Sequence, residues 1–247
     1  ILKYYGRKKA SEIMPESFTF PQDHNLFMKQ YVKDNYYVLK NDKQRQEGVV
    51  ITNNMKDILE HKKNGYHTIQ SFIRNPLTFY GYKINFRIYL VIVCNDDHMN
   101  AYMYDDGIVS YSKGSVDDNP NDSDSEIASF YTSKVLYDAG KFPITLTGYF
   151  KIAKNKDNVM PKIHNLMKQL MDATNKKLCR KPHDSQSFQL FGVDFIVTKD
   201  FDVYLLEVNC GPGMTPHNNE DKKMRYQMHV DLLKILTIMD HYPTIKW

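Results

Sequence analysis

The chain has 247 residues, with 33 Lys and Arg against 29 Asp and Glu, a formal charge of +4 and a pI near 8.7. That length supports one large domain or two subdomains with a full core, and 42% hydrophobic with 25% charged residues excludes a wholly disordered chain. So small a charge excess argues against bulk nucleic-acid binding but permits a basic groove for an acidic partner, and no apolar run approaches the roughly 18 residues of a membrane span.

In chain order, Tyr36 to Leu39 and the β-branched run Gly48 to Thr52 predict strands, and Met55 to Lys62 a helix. Ile84 to Cys94 is the longest strand-like run. Ala101 to Tyr104 and Ile108 to Tyr111 flank Asp105-Asp106-Gly107, which predicts a hairpin turn there. Ser112 to Ser129 is Asp-rich and poor in apolar residues, and predicts an exposed loop. Val159 to Lys177 predicts a helix with Ile163, Leu166, Met167, Leu170 and Met171 as its core stripe. Phe188 to Thr198 and Val203 to Asn209 predict a strand pair, and Lys222 to Met239 a final helix. Strands and helices mix without regular βα alternation, so the expected class is α+β with mainly antiparallel sheets. Neither GxGxxG nor GxxxxGK[ST] occurs. Cys94, Cys179 and Cys210 are odd in number and far apart, which points to a reducing compartment and offers neither a disulfide framework nor a CxxC metal site. No signal peptide opens the chain, and its first residue is Ile, as in a trimmed fragment.

The chemistry concentrates in Ser187 to Asn209. Residues two apart on a strand share a face, so Glu207 and Asn209 point together, and Asp194 lies on the partner strand among Phe191, Val193, Phe195 and Ile196. A carboxylate with such neighbours needs compensation. Two carboxylates and an amide oxygen are hard-cation donors, of the kind that hold Mg²⁺ with phosphates and water. Spacing alone leaves open a second reading, in which Asp194 and Glu207 are charges of an edge strand paired with lysines. The same holds for the basic residues of the Lys83–Arg87 strand, which a snorkelling Lys83 and an Arg87 in a surface ion pair would also explain. His61 and His164 have no partner at metal-ligand spacing.

This segment, Phe188-Gln189-Leu190-Phe191-Gly192-Val193-Asp194-Phe195 followed by Val203-Tyr204-Leu205-Leu206-Glu207-Val208-Asn209-Cys210-Gly211-Pro212, closely resembles the tubulin tyrosine ligase and tubulin tyrosine ligase-like family. That family's pattern reads F-x-L-F-G-x-D-F…V-W-L-I-E-V-N-x-x-P. Met14 to Pro21, Tyr37-Val38-Leu39-Lys40 with Arg45 to Val50, Ile69 to Leu77, and Lys83 to Tyr89 resemble further family segments in the same order. The resemblance implies an ATP-grasp fold with the nucleotide bound between two subdomains. Residues 1–75 are expected to form the N-terminal and central part, with a reduced N-terminal subdomain. Residues 76–247 are expected to form the C-terminal subdomain, with the acidic loop 112–129.

The resemblance also implies roles. Asp194, Glu207 and Asn209 would bind Mg²⁺, Lys40 the ATP phosphates, and Gln70, Ser71, Phe72 and Ile73 would line the adenine slot. Arg87 would stabilise the γ-phosphate, with Asn85 beside it, and Lys83 would face the acceptor carboxylate. The implied reaction is ATP-dependent joining of a free amino acid to a protein carboxylate, through an acyl phosphate. The acceptor would be a tubulin tail or another acidic protein tail, and the chain a cytoplasmic, cytoskeleton-linked monomer. Some family residues differ: Ser71 replaces a basic residue, Asn85 an Asp, and Ser110 an Arg near the transferring phosphate, while Glu126 falls where a His is usual. These departures carry two alternatives, the same chemistry on another protein or peptide, and a weakly active or inactive cytoskeleton-associated relative.

Overall fold

The computed structural model describes residues 1–41, 48–95, 98–116, 127–129, 133–179 and 187–236. Two compact units emerge, the first from Ile1–Ile84, Tyr111–Ser133 and Ile196–Leu206, the second from Asn85–Ser110, Lys134–Phe195 and Glu207–Trp247.

The first unit opens with helix α1 (Leu2–Ile13), kinked at Gly6, whose φ of 74° is one that only glycine adopts freely. Strands β1 (Ser17–Thr19), β2 (Tyr37–Lys40), β3 (Val49–Thr52) and β4 (Thr68–Ser71) form an antiparallel sheet in the order β1-β4-β2-β3. Helices α2 (His24–Gln30) and α3 (Met55–Lys63) complete it. The Asn54 side chain caps α3 by accepting from the Lys56 N–H, and His61, Lys62 and Lys63 close its last turn, where cations suit the helix dipole.

Alternation gives the sheet two unlike faces. Phe18, Tyr37, Leu39 and Ile69 enter a core with Phe20, Phe27 and Ile58. Val38, Lys40, Val49 and Ile51 carry the opposite face and are only half-buried. Lys40 stands opposite Val49, and Val38 opposite Gln70 and Ile51.

A larger sheet runs in the order β10-β9-β6-β7-β8, with β5 (Thr78–Phe79) on β6 (Tyr82–Asn95). Its other strands are β7 (His98–Ser112), β8 (Ala128–Ser129), β9 (Ser187–Val197) and β10 (Val203–Cys210). Every strand pair whose register is defined is antiparallel, and the α+β class is as expected. Helices α4 (Lys134–Asp138), α5 (Leu146–Ala153), α6 (Lys156–Leu178) and α7 (Asn219–Ile235) belong to the second unit. Ile163, Leu166, Met167 and Leu170 of α6 are buried and Met171 is half-buried, so the predicted stripe is core. Val91 and Val93 of β6 pack with Leu232 and Leu236 from α7 and its end. Met239 lies outside the described residues.

Three expectations change. Asp105-Asp106-Gly107 is no hairpin: β7 runs through it without a break. Gly107 is there for another reason, since a Cβ on it would stand 2.2 Å from the Arg87 carbonyl oxygen. The acidic loop is shorter than predicted. Ser112 ends β7, and Ala128–Ser129 form β8 paired to Ser112 and Tyr111, while residues 117–126, with Glu126, lie outside the described ones.

Cys94 and Cys179 are joined in a disulfide, which leaves Cys210 as the exposed free cysteine. The pair is 85 residues apart in sequence, and the fold brings the end of β6 to the end of α6. The cysteine spacing could not show this, and the argument from it to a reducing compartment fails. Among the described residues no helix is long and apolar enough to cross a membrane.

Candidate functional site

Strand β6 alternates cleanly. Ile84, Phe86 and Ile88 are fully buried on one side, and Lys83, Asn85, Arg87 and Tyr89 follow each other on the other. From that second face Arg87 reaches Asp194 on the neighbouring strand β9. Its Nε donates to Oδ1 at 2.7 Å and its Nη2 to Oδ2 at 2.6 Å, a two-pronged pair. The two side chains are only 27% and 17% exposed.

Burial, the largest influence, pushes the Asp194 carboxyl up to about 6 against the pull of Arg87, and Glu207 adds to the rise. Burial also opposes the charge of the Arg87 guanidinium, but its bonds to Asp194 outweigh that and hold it above its ordinary value. The two directions describe one arrangement: a carboxylate reluctant to ionise in its surroundings, and a guanidinium that fixes it when it does.

On β10, Glu207 and Asn209 share the face that alternation requires. The Asn209 amide donates to Glu207 Oε1 at 2.7 Å and approaches Asp194 Oδ2 at 3.4 Å. The fold thus gathers Arg87, Asp194, Glu207 and Asn209 into one cluster. Gly192 makes room for it. A Cβ at Gly192 would meet Arg87 Cδ at 3.2 Å and Pro212 Cβ at 3.0 Å, so the Gly192-Val193-Asp194 spacing carries a steric reason.

The cluster also answers whether a hard cation suits these residues. Two carboxylates and one amide carbonyl are oxygen donors, the kind a hard cation takes. Among the described residues no group of three or more His, Cys, Asp or Glu is placed to hold a metal ion. The donors therefore fit Mg²⁺ only as part of a shell completed by phosphate and water, which is the usual habit of that ion.

The first unit holds Lys40, Gln70, Ser71, Phe72, Ile73 and Lys83, while Asn85 and Ser110 belong to the second. Lys40 ends β2 on the half-buried face of its sheet. Ser71, Phe72 and Ile73 line a cavity of about 370 Å³ together with Asn35, Tyr36, Tyr37, Arg74, Thr198 and Tyr204. Gln70 is turned elsewhere: its amide donates to Ser17 Oγ at 2.9 Å across the β1–β4 pair. Lys83 is buried, with its ammonium 5.5 Å from the centre of the Phe72 ring, within cation–π range. Ser110 is buried in β7. Arg45, Gln46 and Glu47 lie outside the described residues.

Sequence reasoning did not single out Tyr36 and Tyr204 as lining residues of this cavity, and it included Arg74 only within the segment Ile69 to Leu77. Tyr36 opens the run Tyr36 to Leu39 that predicted a strand, although β2 begins only at Tyr37. Tyr204 and Thr198 had no local signal, because Thr198 pairs with Pro76 only through the fold.

A probable tubulin polyglutamylase of Caenorhabditis elegans is 22% identical over 91% of this chain and 58% of its own length. The tubulin polyglutamylase TTLL5 of Mus musculus is 24% identical over 92% of this chain and 19% of its own length, and a tubulin glycylase of Drosophila melanogaster is 23% identical over 85% and 30%. The chain thus spans less than two thirds of the length of these curated relatives. The tubulin-tyrosine ligase family profile matches residues 1–134 and 138–244, nearly the whole chain. On that match, the chain belongs to the tubulin-tyrosine ligase family.

Proposed function

We propose that this chain is the nucleotide-binding and catalytic part of an ATP-dependent ligase, which joins a free amino acid to a carboxylate of an acidic protein tail, with tubulin tails as the acceptor. The observation that carries the reading is the Arg87–Asp194–Glu207–Asn209 cluster. The names of the relatives, polyglutamylases and a glycylase of tubulin, support the acceptor. The net charge of +4 suits an acidic tail.

In the proposed reaction, an oxygen of the acceptor carboxylate attacks the γ-phosphorus of ATP and ADP leaves. The amino group of the incoming amino acid then attacks the acyl carbon, the C–N bond forms, and phosphate departs. Transfer of this kind depends on positioning and on stabilising charge on the phosphate oxygens. Asp194, Glu207 and Asn209 would hold Mg²⁺, which supplies much of that stabilisation when bound. Asp194 fixes the Arg87 fork through Nε and Nη2, which leaves Nη1 to meet a phosphate oxygen. Lys40 is assigned to the α- and β-phosphates.

The buried Lys83 beside Phe72 supports a change of role. Phe72 lines the cavity assigned to the adenine, so Lys83 is assigned to the nucleotide and no longer to the acceptor carboxylate. Ser110 offers no cation, so turnover is expected to be slow, by about 10² to 10³ for one missing preorganised donor.

The deciding experiment incubates the protein with ATP, Mg²⁺, tubulin and labelled Glu, Gly or Tyr in turn. Label incorporated into tubulin and lost in Arg87→Ala supports the reading. ATP bound but unconsumed with every acceptor and amino acid would replace it with a nucleotide-binding scaffold.

A further inference from the structure

Directly after Glu207 and Asn209, the chain leaves β10 and runs through Gly211-Pro212-Gly213-Met214 to His217 before entering α7. A buried ion pair of α7 fastens this segment. Asp221 is fully buried and Arg225 is 4% exposed. Arg225 Nε donates to Asp221 Oδ1 at 2.5 Å, and its Nη1 donates to the Gly213 carbonyl at 2.8 Å and lies 3.7 Å from Met214 Sδ. The other Asp221 oxygen accepts from the His217 N–H at 2.9 Å, and the Asp221 N–H donates to the Asn218 cap. One carboxylate and one guanidinium thus hold both ends of the segment.

An ion pair taken fully out of water is a poor source of stability, since apolar side chains of similar volume often do as well or better. Its geometry suggests another use. The Arg225 guanidinium lies 5.8 Å from the centre of the Tyr89 ring, and Tyr89 is two residues from Arg87 on the same face of β6. Pro212, next to the anchored Gly213, crowds Gly192 together with the stem of Arg87, as the Gly192 clearances of 3.0 Å to Pro212 and 3.2 Å to Arg87 show.

We propose that Asp221 and Arg225 are positioning residues for the candidate site: they fix Pro212–Gly213, which with Tyr89 confines the Arg87 side chain over Gly192 and keeps its fork on Asp194. The effect on turnover rests on the ligase reading; the effect on Arg87 does not.

The test uses Arg225→Lys, which keeps a cation opposite Asp221 but cannot bond Asp221 and reach the Gly213 carbonyl with one rigid fork. The double variant Asp221→Asn, Arg225→Met removes both charges together, so no buried charge is stranded if the single change impairs folding. Two readouts are structural: amide hydrogen exchange over residues 211–217, and the Nε–H NMR signal of Arg87. Both variants should show about tenfold or faster exchange in this segment, with a shifted or broadened Arg87 signal and unchanged helix content. Turnover should fall about 10- to 100-fold, the usual cost of losing an outer-shell partner, while KM for Mg–ATP changes much less. An Arg87 signal and segment exchange identical to those of the unmodified protein overturn the proposal. A displaced Arg87 signal in a protein that shows no ligase turnover in any form upholds the positioning role and overturns the ligase reading instead.

Discussion

Arg87 grips both oxygens of Asp194, with 2.7 Å from Nε to Oδ1 and 2.6 Å from Nη2 to Oδ2, and two glycines make that grip possible. Gly107 sits where a Cβ would come 2.2 Å from the Arg87 carbonyl oxygen, and Gly192 sits beneath the Arg87 stem. The two clearances predict different outcomes. Gly107→Ala meets backbone that cannot yield, so it should destabilise the protein by about 2–4 kcal/mol, within the range of severe overpacking and strain. In Gly192→Ala the added Cβ would stand 3.0 Å from Pro212 Cβ and 3.2 Å from the Arg87 stem, contacts relieved by shifts of a few tenths of an ångström, so stability should fall by about 1 kcal/mol while turnover falls more steeply. Urea unfolding together with single-turnover kinetics separates the two. Equal losses of stability in both variants would contradict the steric assignment.

Glu207→Gln keeps the shape of the β10 face and removes one hard anionic donor from the cluster. The fold should persist, because Glu207 is exposed. Stabilisation by Mg–ATP should shrink, since a ligand that binds only the folded state raises stability by mass action. Thermal shifts with and without Mg²⁺ measure this. A variant stabilised by Mg–ATP as strongly as the unmodified protein would remove Glu207 from the proposed metal set.

Lys83 separates two assignments. Its ammonium packs against Phe72, which lines the cavity assigned to the adenine, so with Lys83 assigned to the nucleotide Lys83→Ala should weaken ATP binding about tenfold, or roughly 1.4 kcal/mol. Affinity for a Glu-rich tail peptide should change less than twofold. Isothermal titration with each ligand reads both numbers. The reverse pattern would return Lys83 to the acceptor groove.

The Cys94–Cys179 disulfide closes a loop of 85 residues in sequence separation. Disulfides over loops of this size contribute roughly 2–5 kcal/mol, mainly by restricting the unfolded chain. Reductant should therefore lower the unfolding midpoint, and Cys94→Ser should make that midpoint indifferent to reductant. In the native protein, iodoacetamide should label Cys210 alone, which mass spectrometry can check. Alkylation of Cys94 without prior reduction would show that the pair is open.

Much of this protein was legible in its sequence. Period-2 alternation put Lys83, Asn85 and Arg87 on one face of β6, and Glu207 with Asn209 on one face of β10, because strand geometry leaves side chains only two directions. The 3.6-residue spacing of Ile163, Leu166, Met167 and Leu170 was core for the same kind of reason. Local rules failed where a residue answers to something distant. Gly107 looked like turn chemistry, yet its smallness serves Arg87 on the neighbouring strand. Cys94 and Cys179 meet only because β6 and α6 end together. Arg87 and Asp194 could each be read as a site residue, but nothing in their spacing showed that they hold one another. Contacts between residues far apart in sequence are set by strand order and packing, which no local period encodes, and so the tertiary structure alone decided that the arginine, the two carboxylates and the Asp221–Arg225 clamp form one connected assembly.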